Sequence, residues 1–86
     1  MKLYYFHSNN CGSCKGYSTT VDKLATELKI TPQKQNIDEI KPLYKLDGIP
    51  TIILTDDDGN EIWRSVGNMP YDYLITDVKK NMKNDK

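Results

Sequence analysis

Both cysteines of this 86-residue chain fall in one short stretch, Asn10-Cys11-Gly12-Ser13-Cys14-Lys15. An apolar run, Leu3-Tyr4-Tyr5-Phe6, precedes it, and a segment with helical periodicity follows. A Cys-x-x-Cys between a strand and a helix reads as a redox dithiol. The chemistry follows from the helix start, where unpaired N–H groups and the macrodipole favour negative charge and so stabilise a thiolate. A thiolate attacks disulfides, and a second thiol one turn on resolves the mixed disulfide.

Composition narrows the function classes. Twelve basic and twelve acidic residues give zero formal net charge. With both signs spread along the chain there is no basic patch, which argues against nucleic-acid and membrane-surface binding. No apolar run approaches the roughly 20 residues of a membrane span. The start, Met1-Lys2-Leu3-Tyr4, lacks a long apolar signal region, so the expected compartment is the cytoplasm. A structural disulfide is unusual there, which favours a chemical role for the cysteines. The expected organisation is one domain, residues 1–86, with a thin core and acting as a monomer.

The elements that position the dithiol can be read in order. Residues 2–7 form a strand whose near-continuous apolar run suits burial on both faces. Ser8, Asn9 and Asn10 break it and offer helix caps. Tyr17, Val21, Leu24, Ala25 and Leu28 recur at helical spacing, predicting a helix over residues 11–29 that Pro32 stops. Residues 33–37 are polar and read as an edge strand. Asp38 is placed to cap a short helix carrying Ile40, Leu43, Tyr44 and Leu46, with Gly48 at its exit. Strands at residues 51–55 and 61–66 flank a Gly-containing turn and form a hairpin. Pro70 starts a last helix with Tyr71, Leu74, Ile75, Val78 and Met82 on its buried stripe. The order is βαβαββα. It predicts an α/β fold: a four-stranded mixed sheet with the first two strands parallel and helices on both faces.

These residues resemble the thioredoxin superfamily in a minimal, glutaredoxin-sized form. Cys11-Gly12-Ser13-Cys14-Lys15 is similar to the family's Cys-Gly-Pro-Cys-Lys site, with Ser13 in place of proline. Gly48-Ile49-Pro50-Thr51 resembles the family's cis-proline loop. Asn36-Ile37-Asp38 and Val66-Gly67 resemble the segments after the second strand and before the last helix. Tyr5 stands where the family has a buried aspartate, Asn10 where it has a tryptophan. Lys34 matches the lysine that accompanies that aspartate. The glutaredoxin pattern for glutathione is matched only in part, because a lone Gly67 stands for its glycine pair.

The resemblance implies a thiol–disulfide oxidoreductase acting on protein disulfides. In it Cys11, at the helix tip, is the nucleophile and Cys14 the resolving thiol. The two alternate with a redox-active disulfide, and no cofactor is bound. Gly12 and Ser13 let the thiols approach, and Lys15 adds positive potential. Pro50 has no N–H, leaving the Ile49 backbone to pair with an extended substrate segment. Ile49, Thr51 and Gly67 form the substrate-binding surface. The expected electron donor is a thioredoxin-reductase-type flavoenzyme. Two rival readings are a glutathione-dependent glutaredoxin-type enzyme and a non-catalytic binding module of the same fold. A zinc site needs four ligands where the chain offers two Cys and one His, and no metal is expected. A cluster shared across a dimer would be obstructed by Pro50. His7 is read as a strand-end residue packed under the helix; as an imidazolium it would instead stabilise the Cys11 thiolate. Asp56-Asp57-Asp58-Gly59 lacks the alternating ligands of an EF-hand and reads as a solvated turn.

Overall fold

The apolar run near the N-terminus becomes an inner strand of a four-stranded sheet. The computed structural model describes residues 1–9, 12, 14–42 and 44–84, with the backbone alone at 14, 15, 83 and 84. Its elements are β1 (Lys2–His7), α1 (Cys14–Leu28), β2 (Pro32–Asn36), β3 (Thr51–Thr55), β4 (Glu61–Val66) and α2 (Tyr71–Asn84). The sheet order is β2-β1-β3-β4. Strands β1 and β2 are parallel, and the β1–β3 and β3–β4 pairs are antiparallel.

Register sorts the side chains. Leu3 pairs with Leu54 and Tyr5 with Ile52, while Leu54 pairs with Trp63. These residues share one face, because alternate strand positions point the same way. Helix α1 lays Tyr17, Val21, Leu24 and Ala25 on that face, and α2 adds Leu74 and Val78. All are nearly solvent-free. Burying a side chain of this size contributes roughly 1.5–3 kcal/mol, so the shared face is the main source of stability.

Both helices therefore lie on one side of the sheet, and the short helix expected after Asp38 is not formed among the described residues. Leu43, one of its expected apolar positions, lies outside them. The local chemistry explains the correction. Pro42 lacks an N–H and disfavours helical backbone at Lys41. The Asn36 side chain accepts the Asp38 N–H at 2.9 Å, closing an Asx turn, and the Asn36 carbonyl accepts from Glu39 and Ile40. Turns thus take the bonds a helix would need. The second face of the sheet is covered instead by Tyr44. Its ring lies 5.6 Å from Tyr4 and 6.4 Å from Phe6, and its hydroxyl donates to the Gly59 carbonyl at 2.9 Å.

The termini of the elements follow from local chemistry. Lys29 ends α1 at φ +58°, with its N–H on Thr26 and the Ile30 N–H reaching back to the Ala25 carbonyl at 2.9 Å. This is a Schellman closure on a residue other than glycine. Strand β2 is an edge strand opened by Pro32, where the missing N–H costs no ladder bond. Lys34 crosses from β2 to α1, donating to Ser18 at 2.7 Å and pairing with Asp22 at 2.9 Å. At the β3–β4 turn, the Asp56 carboxylate accepts from the Asp58 and Asn60 backbone, each at 2.9 Å. The turn's own amides use that carboxylate. Pro70 precedes α2 and its carbonyl accepts from Leu74.

Candidate active site

The strand register gathers one end of the sheet. His7, the last residue of β1, pairs with Asn36, the last of β2. Phe6 pairs with Thr51, the first residue of β3, and Thr51 with Val66, the last of β4. The loop bearing Cys11, the segment ending in Pro50 and the loop starting at Gly67 therefore emerge together. These are the three places from which the sequence draws its candidate residues.

Cys14 is the first residue of α1. Gly12 sits in an exposed turn ahead of it, and a Cβ there would meet nothing within 4 Å among the described residues. Cys11 and Ser13 lie outside the described residues, as do the side chains of Cys14 and Lys15. The Ile49–Pro50 peptide is cis. Pro50 is buried, and its carbonyl accepts the Gly67 N–H at 2.8 Å, so the second and third loops are joined. Gly67 has φ +95°, a backbone open to glycine and strained for other residues. Among the described residues no atom outside its chain neighbours lies within 4 Å of where its Cβ would be, which leaves an open spot there.

One candidate takes a different part from that expected. Thr51, expected at the substrate surface, is fully buried, and its hydroxyl donates to the Gly48 carbonyl. Its side chain shapes the proline loop from below. Ile49 is half-buried and so retains exposed surface. His7 stacks on Tyr5 with ring centroids 5.3 Å apart, which is the strand-end packing expected of it.

Beneath this end lies a tyrosine pair. Tyr5 and Tyr17 meet edge to face at 6.0 Å, and each is at most 2% exposed. Burial, reinforced by Tyr17, pushes the Tyr5 hydroxyl up to about 12. Burial also raises Tyr17, against an opposing pull from the Met69 backbone and the Ser65 hydroxyl. Those two groups face the Tyr17 hydroxyl without closing a well-formed hydrogen bond. Tyr5 thus places a neutral hydroxyl where the resemblance has a carboxylate.

A polar network escaped the sequence reading. The Asp38 carboxylate, expected to cap a helix, turns toward the cysteine loop. One of its oxygens, Oδ2, accepts both the Ser8 hydroxyl at 2.8 Å and the Asn9 N–H at 2.9 Å. The Asn36 amide donates to the Asn9 side chain at 2.8 Å. The Ser8 bond, more than any other contact, holds the Asp38 carboxyl below its usual range, with the Asn9 N–H adding to it. An Asn-x-Asp at a strand end is a turn signal, and that was the available clue.

Arg64 is the chain's one arginine. It forks onto Glu61 at 2.7 and 3.0 Å and donates to the Lys45 carbonyl at 2.6 Å. Each of its three nitrogens thus has a partner, on Glu61 or Lys45. Among the described residues no cluster of three metal-ligating side chains occurs, and no helix is long and apolar enough to cross a membrane.

A mixed β2-β1-β3-β4 sheet with a Cys-x-x-Cys leading into its first helix defines the thioredoxin-like class. The thioredoxin family model matches residues 1–80, and the chain belongs to the thioredoxin family. It is 31% identical over 80 residues to Thioredoxin 1 of Chlorobaculum tepidum, covering 87% of this chain and 78% of that protein. It is 30% identical over 81 residues to an SPbeta prophage-derived thioredoxin-like protein of Bacillus subtilis, covering 92% of this chain and all of that one. Among solved structures, thioredoxin 1 from Thermosipho africanus superposes with a TM-score of 0.76 at 22% identity, over 99% of this chain and 98% of that one, a likeness of fold. A mutant thioredoxin from Halobacterium salinarum gives 0.77 at 28% identity, over 92% and 72%. The family's general chemistry is thiol–disulfide exchange with protein substrates.

Proposed function

We propose that this protein reduces protein disulfides through Cys11 and Cys14. The observation that carries the reading is the convergence of three loops at one sheet end, with Cys14 opening α1 there. The Cys11 thiolate attacks one sulfur of the substrate disulfide. A Cys11–substrate disulfide forms and the other substrate sulfur leaves as a thiolate, taking a proton from solvent. Cys14, deprotonated, then attacks the Cys11 sulfur and releases the second substrate thiolate. The substrate gains two electrons and two protons, and the protein is left with a Cys11–Cys14 disulfide. Gly12 and Ser13 allow the close approach of the two sulfurs, and Lys15 favours the thiolate. The exposed part of Ile49 and the Gly67 surface receive an extended substrate segment, whose backbone pairs with that of Ile49.

The electron donor in this reading is a thioredoxin-reductase-type flavoenzyme. Glutathione carries two carboxylates, and a forked cation is the usual partner for such groups. Arg64 already holds Glu61 and Lys45, which leaves no arginine for the purpose. Loops at Pro50 and Gly67, joined by a backbone hydrogen bond, suit a protein partner better than a tripeptide. A cytoplasmic monomer is the matching setting. NADPH oxidation with insulin as acceptor tests the reading, comparing the source organism's flavoenzyme reductase with glutathione plus its own reductase. Turnover is expected with the flavoenzyme. Efficient turnover with glutathione and none with the flavoenzyme would make this a glutaredoxin-type enzyme. No turnover with either would leave a binding module.

A further inference from the structure

The segment that delivers Cys11 is held from the opposite strand by a closed ring of polar contacts. Asn9 is two residues ahead of Cys11 in the chain. It is gripped twice: its N–H by Asp38 Oδ2 at 2.9 Å and its side-chain oxygen by the Asn36 amide at 2.8 Å. Asn36 in turn fixes Asp38 by accepting its N–H at 2.9 Å. Ser8, only 8% exposed, adds its hydroxyl to the same Asp38 oxygen at 2.8 Å. Below the ring, the Ile37 N–H continues the ladder onto the His7 carbonyl at 2.8 Å. Three connections leave this sheet end, and the ring ties the first to the second. Nothing in the core requires it, since its members are polar and Asn9 and Asp38 are exposed.

We infer that Asp38 is a positioning residue for the redox pair, holding the Ser8–Asn9 segment that leads into Cys11. This rests on the thiol chemistry proposed above. Thiolate stabilisation at a helix start falls off within the first turn, so small displacements of the loop change reactivity. A charge-assisted bond to a backbone N–H is stronger than a neutral one, which suits a carboxylate to the task. The carboxylate's own charge acts in the other direction, because a nearby anion disfavours a thiolate. Geometry and charge therefore predict opposite signs when Asp38 is replaced.

The test is the alkylation rate of Cys11 by iodoacetamide across a pH series, with mass spectrometry locating the modified cysteine and thermal melting confirming the fold. Both bonds use one Asp38 oxygen, so the amide oxygen of Asp38→Asn can accept both. Asp38→Ala is expected to slow Cys11 alkylation at neutral pH about fivefold and move the profile to higher pH, as expected for a thiol losing its helix-start environment. Asp38→Asn restores most of the rate. Ser8→Ala, which removes one bond of the two, gives a smaller slowing, and carries the test alone if Asp38→Ala fails to fold. A wild-type rate in folded Asp38→Ala, or in Ser8→Ala should that be the surviving variant, overturns the inference. Equal changes in the Ala and Asn variants, in either direction, also overturn it, since charge and not position then governs the thiol. Insulin reduction by the wild-type protein is measured alongside: its failure counts against the proposed function, whereas the Ala–Asn split speaks to Asp38 alone.

Discussion

The Gly67 N–H donates to the Pro50 carbonyl at 2.8 Å, and this bond joins two of the three loops that meet at the cysteine end. It is made by a residue at φ +95° with open space, among the described residues, where a Cβ would stand. The need for glycine is therefore one of backbone conformation and not of crowding. Gly67→Ala is expected to destabilise the fold by about 1–2 kcal/mol, the usual magnitude for forcing an L-residue into left-handed backbone. Urea denaturation measures it. Wild-type stability in Gly67→Ala would mean that the loop relaxes to negative φ, and the surface at Pro50 would then be remodelled.

Trp63 and Asp77 make a second such link, between β4 and α2. The indole N–H donates to the carboxylate at 2.7 Å, and Trp63 is only 5% exposed. Removing the acceptor leaves a buried donor unpaired, at about 1–3 kcal/mol. Asp77→Ala should lower the urea midpoint accordingly, with Asp77→Asn intermediate because its amide oxygen can still accept. Fluorescence of Trp63, the chain's one tryptophan, reports the transition directly. An unchanged midpoint in Asp77→Ala would show that another acceptor takes over the indole.

Tyr5 gives stability an alkaline limit. Its folded-state value is raised by burial and by Tyr17 to about 12. The unfolded value lies near 10. A raised value means that the folded state keeps its proton longer than the unfolded chain. The contribution of Tyr5 is thus complete below about pH 10 and lost as pH rises toward 12. Tyr5→Phe should flatten the fall in stability over that window while leaving the profile from pH 6 to 9 unchanged in shape. Tyrosinate absorbance should also lose its latest component in that variant. Parallel profiles for wild type and Tyr5→Phe above pH 10 would show that Tyr5 ionises without penalty.

The strands, both long helices and the edge position of β2 were legible because they rest on periodicity and turn residues, which are local signals. The stripe from Tyr17 to Leu28 marks the core face of α1 directly, whereas the near-continuous apolar runs of β1 and β3 do not distinguish one sheet face from the other. Residues 38–48 were not legible, since the capping pattern at Asp38 pointed to a helix while its carboxylate has a stronger use 29 and 30 residues away, on Asn9 and Ser8. Pro42 was the signal against a helix. Tyr44 illustrates the same limit: its ring covers Tyr4 and Phe6 because the chain returns across the sheet, which no local pattern encodes. At the candidate site, the residue types at Gly67 and Pro50 pointed to their loops. The burial of Thr51 depended on which way one hydroxyl faced.

The central claim is that Cys11 attacks and Cys14 resolves. The most direct measurement is mass spectrometry of adducts formed when reduced Cys14→Ser and Cys11→Ser proteins meet a protein disulfide substrate. A stable mixed disulfide on Cys11 is expected in Cys14→Ser, because the resolving thiol is absent, and loss of turnover in Cys11→Ser. Adducts forming on Cys14 in Cys11→Ser at the wild-type rate, with none on Cys11 in Cys14→Ser, would contradict it.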